Sequence, residues 1–110
     1  MLVYQWSATP RSGCWDDARR FVRQFMRFSD TALDWPAATL MVSGRAVGHP
    51  SFLLEFAFDD GRDFEAAWDR LVSHEQTGEI WRELHPLLDE GSIQRTVYEI
   101  QYARAGTAER

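Results

Sequence analysis

The sequence predicts one α+β domain in which four strands and two main helices follow in the order βαββαβ. Four short segments rich in branched and aromatic residues are bounded by turn-forming residues, as strands are. In two other segments the apolar residues recur every three or four positions, the period of one helical face. A chain of 110 residues is long enough for one such domain.

The predicted strands cover residues 2–8, 38–46, 51–58 and 93–102. The segment between the second and third strands, residues 47–50, is short and contains Gly48 and Pro50. Because a short connection of this kind joins neighbouring antiparallel strands, the two strands are expected to form a hairpin. His49 lies in that turn and is interpreted as an exposed turn residue.

The two helices are predicted from their apolar stripes. The first is expected from Trp15 to about Phe28. The second follows Gly61, and Gly78 is expected to end it, with residues 79–85 forming a further helical turn before Pro86. The stripe of the second helix keeps the helical spacing throughout: Phe64, Ala67, Trp68, Leu71 and Val72.

This element order is the ferredoxin-like arrangement, a four-stranded antiparallel sheet with both main helices on one face. The opposite face of the third strand carries Leu53, Glu55 and Ala57, which is more apolar than a solvated sheet face requires. A second copy of the chain that covered this face would remove apolar surface from water. The sequence therefore predicts a homodimer formed through the free sheet face.

Composition excludes several classes of protein. The net charge of −5 argues against a nucleic-acid partner, since phosphate binding needs surplus basic residues. Charged residues interrupt every apolar run, so no membrane-spanning segment is expected. The single Cys14 and the lack of a secretory leader predict a cytoplasmic protein. All twelve basic residues are Arg, and Lys and Asn are absent, which indicates a GC-rich, bacterial genome.

The segments FEAAWDRL, EIWRELHPLL and RTVYEI, in this order of elements, resemble the dimeric α/β-barrel superfamily. The resemblance spans residues 2–102, so residues 1–102 are expected to form the domain and residues 103–110 a frayed tail. It implies that two sheets pack face to face and that a ligand lies between a sheet and its own helices.

The superfamily includes cofactor-independent monooxygenases of polycyclic phenols, haem-degrading monooxygenases and lactone isomerases. The resemblance therefore implies a protein that binds a small aromatic or polyketide-like compound, as a monooxygenase or isomerase without a cofactor. The alternative is a non-catalytic homodimer that binds a metabolite or has a structural role. The Asn expected in the haem-degrading members is absent. No metal or nucleotide motif occurs, so no metal site is predicted.

Three residues are candidates for acid–base catalysis. His85 lies four residues after Trp81 on one helical face, which pairs an aromatic ring with a base. His74 lies three residues after Leu71, at the edge of the buried stripe. Packing or capping roles remain the alternative for both histidines.

Glu55 is the third candidate, as the one charged residue of the hydrophobic third strand. A buried carboxylate needs a partner, and Arg95 of the last strand is expected to supply it. An ion pair between the two would be structural, whereas a Glu55 with a raised pKa would be functional.

Aromatic side chains are expected to line a cavity for a flat apolar ligand, although core packing is the usual role of such residues. Arg95 is a further candidate for ligand binding. The aromatic candidates are Trp6, Trp35, Trp68, Trp81 and Tyr98, with Tyr4 beside them.

Overall fold

The computed structural model describes residues 1–44 and 50–101. Within them the chain forms the predicted βαββαβ order, with one additional helix before the last strand. The elements are β1 (Leu2–Ala8), α1 (Trp15–Thr31), β2 (Ala38–Ser43), β3 (Ser51–Phe58), α2 (Gly61–Ser73), α3 (Glu75–Leu84) and β4 (Gln94–Glu99). Two short 3₁₀ turns, His85–Leu87 and Glu90–Ser92, connect α3 to β4.

The four described strands form one antiparallel sheet in the order β2-β3-β1-β4. Along β3 every second side chain is buried, because alternate residues of a strand point to the same face. Phe52, Leu54 and Phe56 therefore lie beneath the helices, as predicted, and Leu53 and Glu55 lie on the free face. The ferredoxin-like α+β fold predicted from the sequence is confirmed.

The second helical region differs from the prediction. Gly78 does not end α2 but lies inside α3, and the break comes at His74, whose backbone is extended (φ −91°, ψ 124°). The side chains around the break satisfy both helix ends. The Thr77 hydroxyl donates to the Leu71 carbonyl (2.7 Å), and His74 Nδ1 accepts from the Gln76 amide (3.2 Å).

Some predicted boundaries also shift. Helix α1 continues three residues past Phe28, to Thr31, and β4 begins one residue after Ile93. Four predictions lie outside the described residues: the end of the second strand at 45–46, the turn residue His49, Tyr102 as the last strand residue, and the tail 103–110. In the described residues, none of the helices has the length and apolar character needed to cross a bilayer.

Candidate functional site

A cavity of about 300 Å³ lies between the helix-covered face of the sheet and the three helices. This sheet–helix cavity is at the lower end of the size range of small-molecule sites, roughly 300–1,000 Å³. The strands contribute Tyr4, Trp6, Leu54 and Arg95. The helices contribute Val22 and Phe25 from α1, Trp68, Leu71 and Val72 from α2, and Thr77, Ile80, Trp81 and Leu84 from α3.

Strand register explains why these residues meet. Tyr4 and Trp6 are two residues apart on the buried face of β1. Trp6 is directly opposite Arg95 of β4, so the Arg95 side chain leaves the sheet on the helix side. Val72, which is 62% exposed, and the exposed Arg95 both line the cavity, so it opens to solvent beside them.

Arg95 is the one charged residue among the described residues that line the cavity. Its guanidinium carbon lies 5.2 Å from the ring centroid of Trp81, within the range of a cation–π contact. No carboxylate in residues 1–44 or 50–101 forms an ion pair with it. The cavity therefore has an apolar body and one cationic corner.

The Tyr4 hydroxyl belongs to the same region of the cavity. Tyr4 is 6% exposed, and burial raises its pKa above the ordinary value of 10.0, an effect that the positive charge of Arg95 partly opposes. The net shift is upward, so the phenol is protonated at neutral pH. Tyr4 can thus donate a hydrogen bond to a ligand oxygen.

The sheet–helix cavity contains four of the residues predicted to bind a ligand: Trp6, Trp68, Trp81 and Arg95. Trp35 is instead a core residue at 3% exposure, and its indole Nε1 donates to the Ala67 carbonyl (2.9 Å). Its ring packs behind Tyr4, with the centroids 6.2 Å apart.

Tyr98 lies on the other side of the sheet. It is opposite Val3 on the free face and is 50% exposed. It cannot reach the cavity, because successive side chains of β4 point to opposite faces and Arg95 occupies the helix side.

The predicted ion pair between Glu55 and Arg95 is wrong. Glu55 is opposite Gln5 in β1 and accepts a hydrogen bond from the Gln5 amide on the free face. Arg95 lies on the other face of the same sheet, opposite Trp6. The sheet itself separates the two charges, and the polar partner of Glu55 is an amide.

The two histidines that were predicted to act in catalysis do not line the cavity. His85 lies next to Trp81 (ring centroids 5.1 Å apart), and its Nε2 is 3.9 Å from a carboxylate oxygen of Glu90. His74 caps the start of α3, and its ring meets the edge of Phe28 at 4.9 Å. The catalytic roles of His85, His74 and Glu55 stay predictions.

Sequence reasoning grouped Tyr4 with the aromatic candidates but did not predict its proximity to Arg95, and of the α3 residues in the lining it named Trp81 alone. The alternation of β1 was sufficient to place Tyr4 on the same face as Trp6. It could not show that Arg95 lies on that face too, since this depends on how β4 pairs with β1. No group of three or more potential metal ligands occurs among residues 1–44 and 50–101.

Neither a family model nor a curated protein sequence matches the chain. Solved structures do match over almost its whole length. A NIPSNAP domain protein from Burkholderia xenovorans has a TM-score of 0.70 at 18% identity, covering 94% of this chain and 97% of that one. SnoaB, a cofactor-independent oxygenase from Streptomyces nogalater, has a TM-score of 0.66 at 9% identity, covering 94% and 95%.

A third match, a protein described as an antibiotic biosynthesis monooxygenase, has a TM-score of 0.69 at 14% identity and covers 93% of this chain and 100% of that one. The chain has the ferredoxin-like fold of these proteins. The resemblance predicted from the sequence is confirmed at the level of the fold. At these identities the similarity concerns architecture, because one fold supports many functions.

Proposed function

We propose that the chain binds a small planar aromatic compound in the sheet–helix cavity and acts on it as a cofactor-independent monooxygenase or isomerase. The proposal is based on one observation: an aromatic-lined cavity of about 300 Å³ has Arg95 and Tyr4 at one corner. The wall holds Trp6, Trp68 and Trp81, whose flat rings suit a planar ligand. Structural neighbours described as an oxygenase and a monooxygenase support this choice.

Both reactions require the same stabilisation. An acidic C–H or O–H of the ligand loses its proton to water, and the resulting enolate or phenolate carries negative charge on oxygen. Arg95 and the neutral Tyr4 hydroxyl are donors suited to that charge. Isomerisation returns the proton at another carbon. In oxygenation of a CH₂ group, O₂ supplies one atom to the new carbonyl and the other leaves as water with the two hydrogens.

Oxygen uptake in the presence of a tricyclic ketone with an acidic CH₂ group, such as anthrone, tests the proposal. One O₂ is expected per ketone consumed, at a rate above that of the protein-free solution. Arg95→Gln is expected to lower kcat/KM about tenfold, because one donor to the anionic oxygen is lost. Arg20→Gln is the matched control, since Arg20 is exposed and its contacts, a surface pair with Asp17 and the ring of Phe21, lie outside the cavity lining. Equal turnover in Arg95→Gln and the control would contradict the site.

A second candidate function is metabolite binding without catalysis. It is favoured by the lining of the cavity, in which no described residue is a carboxylate or an imidazole. Calorimetry beside the oxygen assay separates the two candidates. Saturable binding of anthrone with no turnover would support the binding protein, and turnover would exclude it.

We also propose that two copies pair through the free face of the sheet, as the sequence predicted. Apolar side chains there remain accessible, with Met41 38% and Tyr98 50% exposed, and Leu53 of β3 is directly opposite Met41 on the same face. Sedimentation at micromolar concentration is expected to give twice the mass of the 12.8 kDa chain. Leu53→Arg is expected to give monomers, whereas Val72→Arg on the helix side is the control. A folded monomer without any substitution would refute the pairing.

A further inference from the structure

The cationic corner of the sheet–helix cavity offers hydrogen-bond donors and a positive charge. A guanidinium has five N–H donors and no acceptor, and a protonated phenol donates one more hydrogen bond. The tryptophans of the lining carry indole N–H groups, which can only donate, and the Thr77 hydroxyl already donates to the Leu71 carbonyl. A ligand group placed against Arg95 and Tyr4 must therefore be an acceptor.

The charge of Arg95 is available because of the way in which the side chain is held. Arginine side chains near protein surfaces often pair with a carboxylate, which would neutralise them. Here the contact is with the face of Trp81, 5.2 Å away, and no described carboxylate forms an ion pair with the guanidinium. A π face attracts a cation without supplying a full negative charge. Trp81 is thus a positioning residue that leaves the cation unneutralised.

An arriving ligand changes the hydration of this charge. Arg95 is exposed, so water solvates it while the cavity is empty. An aromatic ligand that fills the cavity displaces part of this water. With a neutral ligand the guanidinium loses hydration and gains only weak interactions, whereas the two oxygens of a carboxylate would replace the lost hydration with a strong interaction. The planar fork of the guanidinium matches a carboxylate, with two parallel hydrogen bonds.

We propose that the natural ligand is an aromatic carboxylic acid, bound as its anion with the carboxylate on Arg95 and the rings in the apolar body of the cavity. A phenol is neutral at physiological pH, so a carboxylate is the group that brings a full charge into the cavity before any reaction. The remaining donors of Arg95 and the Tyr4 hydroxyl are then available to an oxygen on the ring. This inference rests on the proposed function, because it assumes that the cavity receives an aromatic ligand.

Calorimetry with 2-naphthoate and 2-naphthamide tests the proposal, since the two probes have nearly the same shape and differ in charge. The protein is expected to bind the naphthoate about tenfold more tightly than the amide. In Arg95→Gln this preference is expected to fall to about twofold or less while the affinity for the amide changes little. Arg20→Gln, with an exposed arginine outside the cavity, is expected to keep the preference.

Trp81→Phe tests the positioning role. The smaller ring keeps a π face but attracts the cation less and offers less contact to the ligand, so both affinities are expected to fall, that for naphthoate about two- to threefold more than that for the amide. A residue that only filled space would alter both affinities alike. In the unmodified protein, added salt is expected to reduce the preference as well, a measurement that needs no variant to fold.

The outcomes separate this inference from the function on which it rests. Equal affinity for the two probes would overturn the carboxylate assignment and leave an aromatic-binding cavity. Binding of neither probe at millimolar concentration would overturn both. A preference for naphthoate that survives Arg95→Gln would also overturn the assignment, because the anion would then be held at another place.

Discussion

Trp35 and Trp68 belong to one aromatic cluster, yet they have different roles in the structure. Trp35 is 3% exposed, donates a hydrogen bond to the Ala67 carbonyl and packs edge-to-face on Phe56 (centroids 4.8 Å apart). Trp68 is half-buried and lines the sheet–helix cavity. Replacing each by Phe therefore separates core packing from ligand contact.

The cost of Trp35→Phe follows from two losses. The hydrogen bond from the indole is worth about 1 kcal/mol. Full truncation of a buried Trp costs about 3–5 kcal/mol, and since Phe keeps much of the ring volume, the remaining void adds about 1–2 kcal/mol. The free energy of unfolding is expected to fall by about 2–3 kcal/mol in total.

Trp68→Phe removes atoms beside a space that is already empty. Its expected loss of stability is below about 1 kcal/mol, because the packing that it gives up is incomplete on the cavity side. The affinity for an aromatic probe should respond in the opposite order. It is expected to fall about several-fold in Trp68→Phe, because part of one ring contact with the ligand is lost, and to stay unchanged in Trp35→Phe.

Urea unfolding followed by circular dichroism measures the stabilities, and calorimetry with 2-naphthoate measures the binding. At an m-value of about 1.5 kcal/mol/M, the midpoint of Trp35→Phe should fall by about 1.3–2 M urea. Equal destabilisation by the two substitutions would refute the reasoning. So would weaker probe binding in a folded Trp35→Phe protein, since that would make Trp35 the ligand contact predicted from the sequence.

Three further predictions concern other parts of the molecule. Gly78→Ala is expected to stabilise the protein by about 0.5–1 kcal/mol in urea unfolding, because Gly78 lies inside α3 and a Cβ there meets no atom within 4 Å; destabilisation would contradict this helix assignment. Burial raises the pKa of Tyr4 above 10.0, which means that folding favours the protonated phenol. The contribution of this group to the free energy of unfolding is fully present below pH 10.0 and is lost as the pH rises through the folded-state pKa. Tyr4→Phe should flatten this alkaline loss in unfolding curves, and an unchanged pH dependence would count against the buried phenol. Because His85 and Glu55 lie outside the cavity lining, oxygen uptake in His85→Ala and Glu55→Gln should stay within about twofold of the unmodified protein. A large loss in either would instead support the catalytic roles predicted from the sequence.

Periodicity determined the architecture. The alternation of β3 assigned Phe52 and Phe56 to the helix side, and the helical stripe of α2 assigned Ala67 and Leu71 to the core, all of which are buried. These assignments could be read from the sequence because each depends on neighbours within one element. The helix break was harder to place. Gly78 suggested an end by its low helix propensity, while the actual break depends on side-chain caps from His74 and Thr77.

The candidate site depended on relations between elements that are far apart in the sequence. Alternation along β4 showed that Arg95 and Val97 share a face, but not which face of the sheet this is. A shift of one residue in pairing would exchange the two sides. Only the register with β1 placed Arg95 beside Trp6 and away from Glu55.

By itself, then, the sequence determined four strands, the buried face of β3 and a sheet with helices on one side, because local periodicity carries that information. The tertiary structure decided which polar groups meet. It joined Arg95, Tyr4 and Trp81 from three separate elements at one corner of a cavity, and it left His74 and His85 outside the lining. The pairing register of the strands and the packing of the helices decide which side chains come into contact, and both are set by contacts across the whole chain.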